Sequence, residues 1–463
     1  MTLTTQVLSP DALALFDREA AQLADQFRVP GVSVAVVTPD QAHFLNLGVT
    51  SVTNPLPVTE DTLYQIGSTT KTMTALTLAL LEQEGALHLD DRVKRHLPNL
   101  ALQDAGVAEA VTLLDLLTHQ GGWMGDYFED TGNGDDALAE VVRRMAGIPQ
   151  IVPLRGAWGY NNAGFYLAGR VIEVVTGLTY EAAVTRYVLT PLGMTDSLFF
   201  PNQIMTRRFA AGHALEGETP QVLPDWQMMR SGAPAGSTLS CTARDMARYA
   251  RYLMTGEGVQ AETPLARFDR QSLFRPRVDI GAMGGDTRAQ MGLAWWLGRD
   301  MIRHGGGTEG HVTAFVIYPA HQLAFIAHSN SQEGGGFNAA LEKVLYTQVL
   351  NLPPVTPPDA ALDVPDLPAF EGAFEASTNH PAGQRTLHVQ VRGDALTFQL
   401  PREVTGEALA VLRFFQADMA AVQGGPVNGG VVQFFRDQRG QVAALRLGGR
   451  LFPRRGVALP VTL

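Results

Sequence analysis

Ser68 and Lys71 stand three residues apart in the segment Gly67-Ser68-Thr69-Thr70-Lys71, and Lys71 is one of only three lysines in 463 residues. A helical pattern, read as amphipathic, runs on from this segment to Gly85. On a helix a spacing of three puts both side chains on one face, one turn apart. A hydroxyl beside an amine is the arrangement that turns a weak nucleophile into an active one. Twelve serines and three lysines would give this spacing by accident roughly 0.1 times per chain. The chemistry it suggests is acyl transfer through a serine ester.

Two further segments carry residues suited to such a site. Trp158-Gly159-Tyr160-Asn161-Asn162-Ala163-Gly164 precedes a helical pattern over 163–176. A tyrosine at that turn offers its phenol, and Asn162 brings both a donor and an acceptor. Arg303-His304-Gly305-Gly306-Gly307-Thr308 leads into a strand-like run, and glycines there let a strand edge approach a ligand without side chains in the way. Other chemical residues read as structural. His119 follows Leu116 and Leu117 and precedes two glycines, as at a helix end, and Cys241 sits in a small-residue stretch as a buried thiol. No cluster of His, Cys, Asp or Glu has metal spacing, so neither metal nor cofactor is expected.

Taken in order, Ser68-x-x-Lys71, Tyr160-x-Asn162 and His304-x-Gly306 resemble the three active-site motifs of the penicillin-recognising serine hydrolases, closest to the class C β-lactamase-like branch. Val29-Pro30-Gly31-Val32, Leu116-Leu117-Thr118-His119-Gln120-Gly121-Gly122 and Pro234-Ala235-Gly236-Ser237-Thr238 resemble the same branch. The resemblance covers about residues 10–350. It implies Ser68 as nucleophile at a helix N-terminus, with Lys71 and Tyr160 sharing the proton work. Lys71 acts as base if neutral, or its charge holds Tyr160 as a phenolate, and both assignments stand open. The backbone N–H groups of Ser68 and Gly307 would form the oxyanion hole. Asn162, His304 and Gly306 would contact substrate, Asn162 through the acyl amide.

One departure bears on substrate. Where β-lactamases and transpeptidases usually carry lysine in the third motif, this chain has His304, which is largely neutral near pH 7. A penicillin or a D-Ala-D-Ala terminus, each with a carboxylate, is therefore less well served than a small ester, amide or D-amino-acid peptide, as in the D-aminopeptidase and esterase-like relatives. The loop Trp123 to Asp130 is expected at the pocket rim. Its carboxylates either receive a substrate ammonium or form a solvated acidic surface, the second being favoured. A non-catalytic sensor on the same fold is the rival of a different class, and the intact proton-transfer residues count against it.

The elements that must position these residues follow from periodicity. A helix is expected over 10–27, with Ser9 capping and Pro10 at its first position. Strands are expected at 32–37 and 42–47, then helices at 71–84, 137–145, 163–176 and 243–254, the last opened by a capping box from Thr242 to Asp245. Strands return after 290, with a hairpin of 312–318 and 323–328, and a helix over 336–350 follows. Strands at both ends around a helical middle suggest an α+β fold, one antiparallel sheet assembled from the two termini and flanked by helices. Six prolines between Leu352 and Pro368 read as a semi-rigid linker. Beyond it, short alternating runs read as an all-β barrel or sandwich, resembling the lipocalin-like domain appended to some members of the family. The expected division is 1–351, 352–368 and 369–463. The β module is expected to cover the cleft or mediate oligomerisation.

Composition bounds the partners. The net charge of −11 argues against nucleic acid or anionic membrane. No apolar run reaches transmembrane length, the first six residues lack the features of a secretory signal, and a lone cysteine suits a reducing compartment. A cytoplasmic enzyme acting on a small-molecule or short-peptide substrate is the resulting expectation, with a homo-oligomer left open.

Overall fold

The computed structural model describes residues 9–283, 286–354, 362, 364, 366–379, 385–399, 409–425 and 427–463. The N-terminal residues read for a signal, and most of the expected linker, lie outside the described residues.

The two ends of the part that precedes the C-terminal strands build one sheet. Gly31–Val37 pairs with Ala42–Gly48 on one side and with Leu323–Ser329 on the other, in the register Val34 opposite Ala327. His311–Tyr318 follows, then the short Ile302–Arg303 and Trp296–Leu297, then Asp286–Met291 and Val278–Met283 at the far edge. Gly306–Thr308 pairs off this path with His311–Thr313. All seven residues of Gly31–Val37 are buried because both faces of the sheet are covered. Val32, Val34 and Val36 join Phe16 and Phe337 of the helices Pro10–Gln26 and Gly334–Val344, while Ala35 and Val37 face the larger helical core.

Helix boundaries fall within a residue or two of expectation: Pro10–Gln26, Thr70–Gln83, Ala137–Arg144, Ala163–Thr176 and Ala243–Thr255. The Ser9 hydroxyl accepts from Ala12 N at 3.2 Å, as a cap should. Three local expectations are corrected. At Thr242 only half of the capping box forms. Thr242 Oγ1 accepts from Asp245 N, but the Asp245 carboxylate turns to Asp196 N, Ser197 Oγ and Arg248. The helix Thr70–Gln83 is not amphipathic either, since residues 70–81 are buried on every side. Three of its four threonines suit that burial because Thr72, Thr74 and Thr77 donate to backbone carbonyls about one turn back, while the Thr70 hydroxyl is buried without a hydrogen bond. The strand Val278–Met283 also begins earlier than expected; bulges at Asp279, Gly281 and Met283 break the alternation that would have revealed it.

The C-terminal strands settle the choice between barrel and sandwich. Among the described residues, eight antiparallel strands follow one another in chain order, from Gly372–Glu375 to Arg450–Pro453. A bridge between Phe374 and Arg454, with Arg455 N donating to Ala373 O at 2.8 Å, brings the first and last strands together into a nearly closed barrel. Its core is a ring cluster in which Phe434 lies 4.8 Å from Phe370 and 6.1 Å from Phe414, centroid to centroid. Phe434→Ala is expected to cost about 3–5 kcal/mol of barrel stability in urea unfolding; a cost below about 1 kcal/mol would mean the rings do not organise this core.

The barrel sits against the catalytic part. Leu451 packs on Gly159 so closely that a Cβ on that glycine would lie 2.7 Å from its methyl. Ile151, Val152 and Ala157 form an apolar cluster with Ala443, Leu451 and Val461. Arg446, itself 5% exposed, donates to Trp158 O at 3.1 Å and to the Ile280 carbonyl and is stacked over the Trp158 ring.

Candidate active site

Ser68 lies in a 3₁₀ turn, Gly67–Thr69, that runs directly into the helix Thr70–Gln83. Its side chain makes no capping bond there, so a helix-cap role does not account for it. Lys71 is fully buried, and its Nζ lies 3.0 Å from Ser68 Oγ and 2.5 Å from Ala235 O. The Tyr160 hydroxyl hydrogen-bonds the same serine, and the Lys71 amine sits 5.0 Å from the centre of the Tyr160 ring. The three residues read from the first two motifs therefore meet at one oxygen.

Two backbone segments press on the Ser68 turn from opposite sides. A Cβ on Gly306 would come within 2.8 Å of Ser68 N and would run into the Ile66 carbonyl. Gly236, at φ +110°, would likewise meet the Gly67 carbonyl carbon and Ser68 N. Gly67 itself takes φ +53°, with Gly307 N 2.5 Å from where its Cβ would be. Side chains at these points would hold the strand Gly306–Thr308 away from the nucleophile.

Ser68 opens onto a cavity of about 300 Å³ that Tyr160, Asn162, His304, Gly306 and Gly307 also line. Its walls are largely apolar, from Phe128, Tyr166, Met228, Met229 and Trp296. Each expected site residue is thus at the cavity except Lys71, which lies beneath Ser68. His304 is 1% exposed, donates through Nδ1 to Gly305 O at 2.6 Å, and stacks on Trp296 at 5.4 Å. Burial, then the charges of Lys71 and Arg303, push its pKa down to about 3 against the single favourable bond to Gly305. His304 is neutral throughout the physiological range.

Burial and the Arg450 charge lower Lys71 well below the usual amine value, with Asp126 opposing. Burial pushes the Tyr160 phenol up to about 12, against the pull of Arg450 and of the Ser68 hydrogen bond. Both directions favour a neutral amine beside a neutral phenol. His119 lies beneath this pair, 4.5 Å from the Tyr160 ring. Its Nδ1 lies 3.0 Å from Asn161 N and 3.2 Å from Asn161 O, and burial holds its pKa well below the usual value. The structural reading of His119 is the one its surroundings support.

The rim loop behaves differently from either expectation. Asp126 does not face solvent as part of an acidic surface, and it is not free to meet an ammonium. It accepts from Asn162 Nδ2 at 2.7 Å and pairs with Arg450 at 3.0 Å. Glu129 is taken by Arg144 and by Asn379 of the barrel. Arg450 is the cavity residue that sequence reading missed. It follows the Gly448-Gly449 turn between the last two barrel strands, and its guanidinium lies 4.4 Å from the centre of the Tyr160 ring. The available signal was a lone arginine at a tight glycine turn, which by itself has no catalytic meaning.

Among the described residues no group of side chains is arranged to hold a metal ion, and no helix is long and apolar enough to cross a membrane.

Residues 16–347 match the β-lactamase family. The chain is similar to Penicillin-binding protein 4 of Amycolatopsis lactamdurans, at 32% identity over 78% of this chain and 96% of the relative. Its fold is similar to that of SurE, solved alone and with D-Leu, at 24% identity and a TM-score of 0.72, covering 96% of this chain and 99% of SurE. An octameric penicillin-binding protein homologue from Pyrococcus abyssi is similar at 21% identity and a TM-score of 0.63, over 95% of this chain and 99% of that one. The chain belongs to the β-lactamase family, and it is a serine hydrolase carrying a C-terminal barrel domain.

Proposed function

We propose that the enzyme hydrolyses small esters, amides or D-amino-acid-containing peptides through an acyl-Ser68 intermediate. The observation that carries this reading is the convergence of the Lys71 amine and the Tyr160 hydroxyl on Ser68 Oγ, with Lys71 Nζ at 3.0 Å. A neutral Lys71 takes the Ser68 proton as Oγ attacks the carbonyl carbon. The lowered lysine and raised tyrosine favour this acceptor over a Tyr160 phenolate. The N–H groups of Ser68 and Gly307 receive the developing oxyanion, each such donor being worth about 10²–10³ in rate. Tyr160 passes the proton to the leaving group, and water then cleaves the ester by the reverse path. Asn162 Nδ2 is engaged by Asp126, which leaves its Oδ1 to accept from the N–H of an acyl amide.

The neutrality of His304 supports the same choice of substrate. A β-lactamase or D-Ala-D-Ala carboxypeptidase needs a cation for the substrate carboxylate, and the third motif supplies none. In this reading His304 and Gly306 shape the pocket rather than neutralise a charge. The division into a catalytic part to 351, a linker to 368 and a barrel from 369 belongs to the reading, as does a cytoplasmic setting, which the single buried Cys241 favours. The octameric relative makes assembly worth measuring by light scattering.

A substrate panel tests it: a p-nitrophenyl ester, D-Ala and L-Ala p-nitroanilides, and a chromogenic cephalosporin. Turnover of the ester and at least one anilide is expected, with the D-anilide preferred for a peptidase. Turnover of the cephalosporin alone would overturn the assignment in favour of a β-lactamase.

A further inference from the structure

We infer that Arg450, carried into the active site by the last hairpin of the barrel, is a positioning residue that holds Lys71 in the uncharged form able to take the Ser68 proton. The inference rests on the acyl-Ser68 reading and extends it to the C-terminal domain.

The hairpin is fixed against the second motif at three points. Tyr160 N donates to Gly449 O at 2.8 Å. Gly449, at φ +81°, packs against Trp158 and Tyr160, so that a Cβ there would lie 3.4 Å and 3.5 Å from them. Leu451 fills the space over Gly159. The guanidinium next in line is then set over the face of the Tyr160 ring, where a cation meets the negative side of the quadrupole. Asp126 fixes its orientation through Nε at 3.0 Å and a second nitrogen at 3.2 Å, while also holding Asn162. Thr378 of the barrel donates to the backbone carbonyl of Asp126 at 2.9 Å, so the same domain holds the main chain of the residue that orients the arginine.

A fixed positive charge beside two groups acts on both in one direction. It disfavours the ammonium of Lys71, so the amine is more often in the uncharged form that can take the Ser68 proton, and it makes the Tyr160 proton easier to pass on. Asp126 opposes this at both residues but lies behind Arg450 in its effect on each. The other titratable groups around the pair are His119, His304 and Tyr166. Burial keeps both histidines neutral and Tyr166 protonated across the working range. Arg450 is thus the charge that sets the acidic limb of the pH profile, and the barrel supplies it.

The sign follows directly. Removing the arginine raises the proton affinity of Lys71, so the acidic limb moves to higher pH. The test is the rate at which a neutral phosphonate ester labels Ser68, followed by intact mass and peptide mapping from pH 5 to 9, in the full-length chain. A neutral probe has no carboxylate for Arg450 to bind, so recognition of a charged substrate cannot produce the result. Arg450→Gln should move the limb up by about one pH unit, about tenfold slower labelling below it, with the alkaline plateau retained. Arg450→Lys should recover most of the shift. Asp126→Asn removes the opposing charge and should move the limb the other way, which gives a reading even if Arg450→Gln fails to fold. An unmoved limb in Arg450→Gln, or a uniform slowing at every pH, would overturn the inference. Absence of Ser68 labelling in the parent at any pH would instead defeat the acyl-serine reading on which it stands.

Discussion

Ser68→Ala is expected to reduce turnover of every substrate in the panel by about 10⁴-fold or more, because the covalent step has no substitute nucleophile. The structure also predicts that little stability is lost. Ser68 makes no capping bond, and alanine suits a helix start without strain. Lys71 keeps its bond to Ala235 O, and its lowered proton affinity means that no unpaired charge is left buried. The melting temperature should therefore stay close to that of the parent, within the effect of about 1 kcal/mol. Both quantities are needed: loss of activity with loss of fold says nothing about the nucleophile. Residual turnover above about one percent of the parent, in a folded variant, would show that another residue carries the acyl group or that water is activated directly.

The nucleophile was legible because its motif is local. Ser68 and Lys71 are one helical turn apart, and a helix fixes their relation whatever surrounds it. Tyr160-x-Asn162 and His304-x-Gly306 were legible through family resemblance, and the structure brings them to the same cavity. Most helices and the central strands were legible by period, since Val32, Val34 and Val36 alternate cleanly against Ala35 and Val37. What escaped was set by tertiary contact. The helix Thr70–Gln83 reads as amphipathic because its threonines count as polar, yet the hydroxyls of Thr72, Thr74 and Thr77 bond nearby backbone carbonyls and residues 70–81 are enclosed. Asp126 reads as a rim carboxylate, and only the fold reveals that an arginine 324 residues away neutralises it. No pattern in the barrel sequence marks Arg450, because its meaning lies in the ring beneath it. Local spacing gave the chemistry, and long-range packing set the charges around it.

Gly306→Ala should be the second most damaging change, lowering kcat by about 10²–10³ with the fold largely kept. The backbone of Gly306 is not in the left-handed region, so alanine meets no conformational penalty there. The obstacle is space alone. The new methyl would point at the Ile66 carbonyl and lie 2.8 Å from Ser68 N, and both are backbone atoms of the nucleophile turn. Neither can rotate away as a side chain would, so the strand Gly306–Thr308 must retreat from Ser68. That retreat separates the N–H of Gly307 from the N–H of Ser68, and in the proposed mechanism the two donors no longer converge on one oxyanion. Strain of this kind typically costs about 1–3 kcal/mol in stability, too little to unfold the sheet, because His311–Tyr318 remains paired with Leu323–Ser329. Gly307→Ala is the contrasting variant, since its nearest neighbour would be His311 O at 3.9 Å. It should melt like the parent, which separates the cost of the added methyl from the cost of the displaced strand. Steady-state kinetics on the p-nitrophenyl ester, with melting curves for both variants, decides the matter. If Gly306→Ala keeps its kcat, the close approach of this strand is not what stabilises the transition state, and the oxyanion donors must be sought elsewhere in the cavity.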